Sequence, residues 1–225
     1  MRIGLTRYGQ REIILSTILL GVAATGLAWL FPPAGLVPLA AWLWVLWFFR
    51  DPDRGLPTGE GLLVSPADGT VSDITPVGPD SELGCEGTRI GIFMSVLDVH
   101  VNRSPARATV GSVTYRPGRF LDARDPAAAE RNESATIRMT CRSGARTCSL
   151  VVRQVAGLIA RRIVTDVKIG QELHAGERIG MIKFGSRVEL LAARDLVGQV
   201  MVQVGQRVKA GQSVLIACVQ GGGNG

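Results

Sequence analysis

The dipeptide Gly185-Ser186 has the composition needed for self-cleavage of the chain. Glycine has no Cβ, so its backbone reaches strained conformations that bring the next serine hydroxyl close to the glycine carbonyl. Attack by that hydroxyl would convert the peptide bond into an ester, and elimination and hydrolysis would leave a pyruvoyl group at position 186. This ketone would be a built-in electrophilic cofactor. Most Gly-Ser pairs are ordinary turns, so the prediction depends on the surrounding residues.

A serine nucleophile needs a base, and the chain contains two histidines, His100 and His174. His100 follows a predicted strand in a polar, turn-like segment. His174 occupies the place that Lys209 holds in a repeated segment, which is typical of a solvent-facing residue. His100 is therefore the better candidate. Asp68 could orient its imidazole and complete an Asp-His-Ser relay, although Asp-Gly pairs are also common in turns.

The cysteines and the charge exclude two classes of site. Cys85, Cys141, Cys148 and Cys218 form no CxxC pair, and two histidines are too few for a typical zinc site, so we expect no metal. We interpret the thiols as reduced and mostly buried, although Cys141 and Cys148 could pair in an oxidising compartment. The net charge of +6 is scattered, without interleaved aromatic and basic residues, so we expect no nucleic-acid partner.

Residues 1–54 are predicted to anchor the chain in a membrane. Residues 13–31 carry no charge and are long enough to span a bilayer as a helix. Residues 36–49 form a second apolar run, rich in Trp and Phe, that crosses obliquely or lies at the interface. Arginines flank the pair, so the positive-inside rule predicts a transmembrane helical hairpin with both ends in the cytoplasm. A cleavable signal peptide is the alternative, but its apolar region would be shorter.

Residues 55–225 are predicted to form a mostly β (α+β) domain, because short β-branched runs alternate with glycines. Residues 167–176 match residues 202–211 at an offset of 35, which predicts two equivalent hairpins. They are similar to the half-motifs of biotinyl and lipoyl carriers, so we expect a barrel-sandwich-like domain with a helix at residues 127–132. Gly185-Ser186 lies between the repeats, after a predicted strand at residues 178–184.

Several motifs occur in an order that is specific when they are taken together. The chain resembles the short-form phosphatidylserine decarboxylase proenzymes over about residues 7–217. The main motifs are Phe-Phe-Arg-Asp-Pro-Asp-Arg at 48–54, Pro-Ala-Asp-Gly at 66–69, Asp-Val-His-Val-Asn-Arg-Ser-Pro at 98–105 and Lys-Phe-Gly-Ser at 183–186. Residues 118–121, 130–133 and 154–163 also resemble the family.

The resemblance implies cleavage between Gly185 and Ser186 into a large subunit, 1–185, and a small subunit, 186–225, with Ser186 becoming the pyruvoyl cofactor. That ketone would form a Schiff base with the amine of membrane phosphatidylserine and accept electrons as carbon dioxide leaves, giving phosphatidylethanolamine. The resemblance also implies a role in phospholipid biosynthesis at the cytoplasmic face of the cell membrane, with a homodimer as a plausible assembly.

One departure from the family concerns the base for self-cleavage. Long-form members carry two histidines three residues apart, and Arg103 occupies the second position here. Either His100 serves both steps, or Asp68 and a strained Gly185 suffice with another base. Arg103 and the pair Arg161-Arg162 are surface cations in the simpler interpretation, and contacts to substrate carboxylate or phosphate in the other.

Two other functions fit parts of the sequence. A membrane-anchored carrier or adaptor would combine apolar helices with lipoyl-like hairpins, but a carrier would present a modifiable lysine at a hairpin tip. A pyruvoyl enzyme acting on a soluble amino acid would share the chemistry of Ser186. The apolar N-terminus favours a lipid substrate, because an enzyme held at the interface meets a substrate confined there.

Overall fold

The computed structural model describes residues 3–122, 128–143, 146–158, 162–183 and 185–219. The chain divides into two compact units, Met1–Asp53 and Arg54–Gly225. The helices are α1 (Gln10–Leu30), α2 (Leu36–Phe48) and α3 (Ala128–Arg131). The strands are β1 (Ile3–Leu5), β2 (Arg50–Pro52), β3 (Leu62–Val64), β4 (Gly69–Val77), β5 (Gly87–Met94), β6 (Val101–Arg103), β7 (Ala108–Arg116), β8 (Ser134–Ser143), β9 (Arg146–Val155), β10 (Ile163–Thr165), β11 (Glu172–Leu173), β12 (Arg178–Ile182), β13 (Ser186–Ala193), β14 (Val197–Val200), β15 (Arg207–Val208) and β16 (Val214–Cys218).

The N-terminal unit contains the two helices that the sequence predicts. The helical segment Arg7–Leu30 is long and apolar enough to cross a membrane, and Pro32–Phe48 is a shorter apolar helix. Trp42 on α2 donates from Nε1 to the Thr17 hydroxyl on α1 at 2.9 Å, so the two helices contact each other. Strands β1 and β2 form a small antiparallel sheet in the same unit.

The second unit is built around one eight-stranded antiparallel sheet in the order β11-β7-β8-β9-β13-β5-β4-β15. Two three-stranded sheets, β10-β12-β6 and β14-β16-β3, accompany it. Because side chains alternate across a strand, β13 directs Val188, Leu190 and Ala192 into the main hydrophobic core. On the other face Leu191 and Ala193 join a smaller cluster with Leu83.

The repeat at an offset of 35 residues folds twice in the same way. In the first copy the Gly170 N–H donates to the Val110 carbonyl at 2.8 Å, and the Val110 N–H donates to the Gln171 carbonyl at 2.9 Å. The glycine is in the left-handed region, with φ of +82°. The second copy repeats these bonds with Gly205, Val71 and Gln206 at 2.8 and 2.9 Å.

The whole second unit follows this duplication. The first copy places β11 beside β7 at one end of the large sheet, and the second places β15 beside β4 at the other end. Residues 65–71, Ser-Pro-Ala-Asp-Gly-Thr-Val, correspond to residues 104–110, Ser-Pro-Ala-Arg-Ala-Thr-Val. Equivalent strands therefore occupy matching positions counted from the two sides of the sheet. The pairs are β11 and β15, β7 and β4, β8 and β5, and the central strands β9 and β13. One half, β6 to β12, is inserted between β5 and β13 of the other half.

Two expectations need refinement. Among the strand pairings of the described residues, β11 pairs with β7 and β15 with β4, so neither repeat forms a hairpin by itself. The prediction of two equivalent hairpins is therefore not confirmed, because each two-residue strand obtains its hydrogen bonds from a longer neighbour outside the repeat. The barrel-sandwich assignment stays a prediction. Helix α3 lies within the predicted segment 127–132, of which residue 127 is outside the described residues.

The four cysteines are free in the structure, and the reduced interpretation stays a prediction. Cys141 and Cys148 are partners across β8 and β9, and both are buried. Burial, reinforced by the neighbouring Cys148, raises the pKa of Cys141 to about 12. Burial also raises the pKa of Cys218 to about 11. Both thiols are therefore poor nucleophiles at neutral pH.

Gly69 offers a test of how closely β4 approaches β5. An added Cβ would lie 2.1 Å from the Phe93 carbonyl oxygen, which the backbone can relieve only by moving. We expect Gly69→Ala to reduce the unfolding free energy by about 2 kcal/mol and the melting temperature by about 4–8 °C. The control is Gly111→Ala, whose Cβ would lie 3.7 Å from its nearest neighbour, the Arg138 carbonyl. Equal melting temperatures for both variants would contradict the proposed close approach.

Candidate active site

Ser186 is the first residue of β13 and is fully buried. It lies opposite Met94 at the end of β5, and its hydroxyl donates to the Met94 sulfur at 3.5 Å. The next residue, Arg187, is opposite Val155 at the end of β9. The serine is therefore placed by a strand that is paired on both sides.

Gly185 has a left-handed backbone, with φ of +55°. An added Cβ would meet only Val96 Cγ1 at 4.0 Å, so the backbone conformation, rather than lack of space, favours glycine here. Before it, the Lys183 N–H donates to the Arg162 carbonyl at 3.2 Å. Gly185 thus connects the segment that follows β12 to the start of a fixed strand. Glycine adopts this φ without steric cost, so strain at the bond before Ser186 stays a prediction.

His100 is fully buried and lies beside the chain that leads to the cleavage site. Its carbonyl accepts from the Ile182 N–H at 3.4 Å. Its Nδ1 lies 2.9 Å from the Asp98 carbonyl oxygen. Because a carbonyl can only accept, Nδ1 carries the proton, and Nε2 carries the lone pair of the neutral ring. This tautomer makes Nε2 the nitrogen that can act as a base.

Asp98 fixes the turn that presents His100. One carboxylate oxygen accepts from the Ser95 N–H at 2.8 Å, and the other accepts from Arg207 Nη2 at 2.5 Å. The Asp98 side chain is 4% exposed, whereas that of Arg207 is 66% exposed. Arg207 belongs to the segment after the proposed cleavage site and Asp98 to the segment before it. This ion pair therefore connects the two.

Asp68 is engaged by partners other than His100. Arg54 donates to both of its carboxylate oxygens, at 2.5 and 2.7 Å, and the Ala210 N–H donates to one of them at 2.8 Å. Among the described residues, no contact of Asp68 reaches His100. The predicted Asp-His-Ser relay therefore lacks a hydrogen bond between its first two members in this structure, and a catalytic role for Asp68 stays a prediction. The sequence did not single out Arg54 as its partner.

Arg103 is not a surface cation, because it is only 6% exposed. Its guanidinium donates to the Gly176 carbonyl at 3.0 Å. Together with Arg54 it lines a cavity of about 250 Å³ between the turns that end at Gly176 and Gly211. The simpler interpretation of Arg103 is therefore wrong, since the turn of the first repeat covers it.

The other two predicted arginines differ from Arg103. Arg162 is exposed, and its carbonyl accepts from Lys183 near the cleavage site. Arg161 lies outside the described residues, so its predicted role as a substrate contact stays a prediction.

A buried polar chain leads away from Ser186 and was not predicted. The Met94 sulfur, which accepts from Ser186, also accepts from Asn102 Nδ2 at 3.8 Å. Gln154 Nε2 donates to Asn102 Oδ1 at 2.8 Å, and the Thr165 hydroxyl donates to Gln154 Oε1 at 2.8 Å. Asn102 and Gln154 are fully buried. Asn102 follows Val101 in β6, and Gln154 lies two residues after Val152 in β9, so an amide beside β-branched residues is the signal that could have identified them.

The opposite face of β13 carries a buried charge network. Arg187 donates to Glu189 at 2.9 Å, to Asp73 at 2.7 Å and to the Ser72 hydroxyl at 2.9 Å. Arg153 lies 3.4 Å from Glu189, and burial lowers the pKa of Arg153 although Glu189 opposes that shift. The residue next to Ser186 is therefore held by several charge-assisted hydrogen bonds.

Comparison with known proteins identifies the family of this chain. The sequence model of the family described as phosphatidylserine decarboxylase matches residues 42–216. The phosphatidylserine decarboxylase proenzyme of Cereibacter sphaeroides is 44% identical over 189 residues, covering 83% of this chain and 79% of the relative. That of Paramagnetospirillum magneticum is 43% identical over 199 residues, covering 87% and 80%. The chain belongs to the phosphatidylserine decarboxylase family, a family of carboxy-lyases.

Proposed function

We propose that this chain cleaves itself between Gly185 and Ser186 and then decarboxylates phosphatidylserine to phosphatidylethanolamine with a pyruvoyl group made from Ser186. The observation that carries the proposal is a buried serine at the first position of a central strand, directly after a glycine with φ of +55°. Membership of the family supports the substrate, and the relatives' description as proenzymes supports maturation of the chain.

In the proposed maturation, the Ser186 hydroxyl attacks the Gly185 carbonyl carbon and loses its proton to a base. The C–N bond breaks as the ester forms, leaving a free amine on residue 186. Loss of the Cα proton then expels Gly185 as a carboxylate and gives dehydroalanine. Tautomerisation and hydrolysis consume one water and release one ammonia.

We propose that His100 Nε2 is the base in this reaction. The Asp98 carbonyl fixes the tautomer, and the contact with Ile182 places the histidine beside the segment that leads to Gly185. Arg103, at the position of the second histidine of the long-form enzymes, is held by the Gly176 carbonyl and remains charged at neutral pH. His100 is therefore proposed to serve both self-cleavage and decarboxylation.

The residues around position 186 fit a pyruvoyl group. Conversion of serine removes the hydroxyl that donates to Met94, so the Met94 sulfur and the Asn102 amide would line the new ketone. Gln154 and Thr165 hold the Asn102 amide in one orientation. The ketone would supply an electrophile for the substrate amine and an acceptor for the electrons left by carbon dioxide. The chain's own residues exclude water and supply a donor and a base.

The same geometry explains why cleavage would not separate the subunits. β13 begins the small subunit and is paired along its length with β5 and β9 of the large subunit. Arg187 adds an ion pair to Asp73, and Arg207 adds one to Asp98. Both fragments would remain one folded protein.

The remaining assignments extend the proposal to the whole chain. Residues 1–54 are proposed to anchor the protein in the cell membrane as a helical hairpin, with residues 55–225 as a barrel-sandwich-like catalytic domain on the cytoplasmic face. Association into a dimer is an expectation from the resemblance. An anchored enzyme would meet its lipid substrate at the membrane surface.

The first prediction concerns the mass of the purified protein under denaturing conditions. We expect two fragments, a large one that ends at Gly185 and a small one that begins at residue 186. The small fragment should be lighter than the unmodified peptide by the mass of one ammonia. Ser186→Ala should give one uncut chain without decarboxylase activity, because it lacks the nucleophile. Ser134→Ala is the control, since Ser134 is also a buried first residue of a strand. An uncut wild-type chain, or an active Ser186→Ala variant, would overturn the proposal.

The second prediction concerns the base. We expect His100→Gln to slow self-cleavage by a factor of about 10²–10⁴ and to abolish decarboxylation, because glutamine cannot accept the proton. The exposed His174 gives the control, and His174→Gln should cleave and turn over normally. Intact mass over time and release of carbon dioxide measure the two steps. Normal cleavage with no turnover would restrict His100 to decarboxylation and refute its proposed double role.

The third prediction concerns the buried pair of Asp68 and Arg54, whose side chains are 12% and 4% exposed. Asp68→Ala should lower the unfolding free energy by about 3 kcal/mol, because the Arg54 charge stays buried without its partner. The double variant Arg54→Met/Asp68→Leu should recover much of that loss. Denaturant unfolding measures both variants beside the wild type, and a double variant no more stable than Asp68→Ala would refute the coupling. A stable double variant that fails to cleave would assign Asp68 a role in the chemistry as well.

A further inference from the structure

Ser186 lies at one edge of the large sheet, where three neighbouring strands begin or end. β13 begins there with Ser186, β5 ends there with Met94, and β9 ends there with Val155. We call this row of strand ends the Ser186 edge. It is distinct from the lateral edges of the sheet, which are formed by β11 and β15. The turns that leave β5 and β9 therefore lie on either side of the proposed reaction centre.

Each of these two turns carries an exposed leucine. Leu97 follows β5 by three residues and is 59% exposed, and Leu158 follows β9 by three residues and is 62% exposed. The turn that carries Leu97 is fixed, because the Asp98 carboxylate accepts from the Ser95 N–H at 2.8 Å. Its neighbour Val96 lies 4.0 Å from the position that a Cβ on Gly185 would take. Leu97 therefore directly follows a residue that lies next to the proposed cleavage site.

A cation accompanies the leucines at this edge. Arg162 is exposed, and its backbone accepts from Lys183, two residues before Gly185. Exposed apolar side chains with a neighbouring cation match a bilayer surface that carries anionic headgroups. The substrate of the family is itself an anionic lipid of that surface.

The burial of Ser186 requires some route for a lipid headgroup. The serine is fully buried, whereas the substrate's acyl chains are confined to the bilayer. Ser186 is the first residue of β13 at this edge, so a headgroup can reach it from this side without extraction of the lipid if the edge faces the membrane. The apolar segment Arg7–Leu30 would keep the chain at that membrane.

We propose that the Ser186 edge is a membrane-docking surface, in which Leu97 and Leu158 insert into a bilayer containing anionic phospholipid and position the headgroup at residue 186. The proposal rests on the proposed function and identifies the side from which the substrate enters. Neither leucine takes part in the chemistry.

The test compares substrate in a bilayer with substrate in solution. Leu97→Asp and Leu158→Asp should each raise the KM for phosphatidylserine in phosphatidylcholine vesicles by about tenfold, because a carboxylate resists insertion. The KM and kcat for a water-soluble, short-chain phosphatidylserine should stay at the wild-type values, as should the extent of self-cleavage. Ile169→Asp is the matched control, since Ile169 is 71% exposed and lies at the opposite edge, beside Val110.

Any of three results would overturn docking. Unchanged KM values for vesicles would show that the leucines do not contact lipid. Equal losses with vesicles and with the short-chain substrate would show that the leucines support the reaction centre itself. A change with Ile169→Asp as large as with Leu97→Asp would show that the effect does not belong to the Ser186 edge.

A second readout does not depend on activity. A fluorophore sensitive to polarity is attached to Leu97→Cys or to Ile169→Cys in the full chain carrying Cys85→Ser, and the chain is reconstituted into vesicles with nitroxide-labelled phosphatidylcholine. Quenching at position 97 but not at position 169 is expected. Absence of quenching at position 97 overturns docking even if the enzyme is active. Quenching with an uncut, inactive wild-type chain would support docking and reject the proposed function.

Discussion

The placement of Ser186 depends on the hydrogen bonding of β13 on both of its sides. A strand at a sheet edge can shift its register, but β13 is paired with β5 and β9 over almost its whole length. Its first residue is therefore fixed in position. The residue before it, Gly185, has a left-handed backbone with φ of +55° that glycine adopts without steric cost. The same pairing would keep both fragments together once the bond is cut.

The duplicated architecture explains why the site lies where it does. One half of the second unit, β6 to β12, is inserted between β5 and β13 of the other half. The chain crosses between the halves twice, first through Asp98 and His100 and then through Lys183 and Gly185. Both crossings lie at the Ser186 edge, and the His100 carbonyl accepts from the Ile182 N–H on the segment that leads to Gly185. The proposed chemistry would thus occupy the junctions of the duplication, while the repeated turns form the two ends of the sheet.

The two faces of β13 perform different tasks. On the core face, the Ser186 hydroxyl donates a hydrogen bond to the Met94 sulfur. The amides of Asn102 and Gln154 provide further polar groups in an apolar interior. On the other face, Arg187 and Glu189 are buried in a charge network. Buried polar groups are costly unless they are paired, so each network fixes the geometry around it. Arg54 and Asp68 repeat this principle at the turn before β4.

The sequence by itself determined the features that are local. The Gly185-Ser186 pair, the uncharged N-terminal run and the repeat at residues 167–176 and 202–211 each depend on neighbouring residues. The structure contains a left-handed glycine at position 185, the two helices and the equivalent turns. The order of the motifs also indicated the family.

The tertiary structure decided which distant residues meet. Asn102, Gln154 and Thr165 contact one another only because β6, β9 and β10 converge in the core, and no local pattern records that encounter. Arg54 donates hydrogen bonds to the carboxylate of Asp68, and the turn at Gly176 buries Arg103. Neither contact could be inferred from the spacing of these residues in the sequence. Short-range conformational preferences depend on adjacent residues. Hydrogen bonds across the sheet depend on the register and topology of the whole chain.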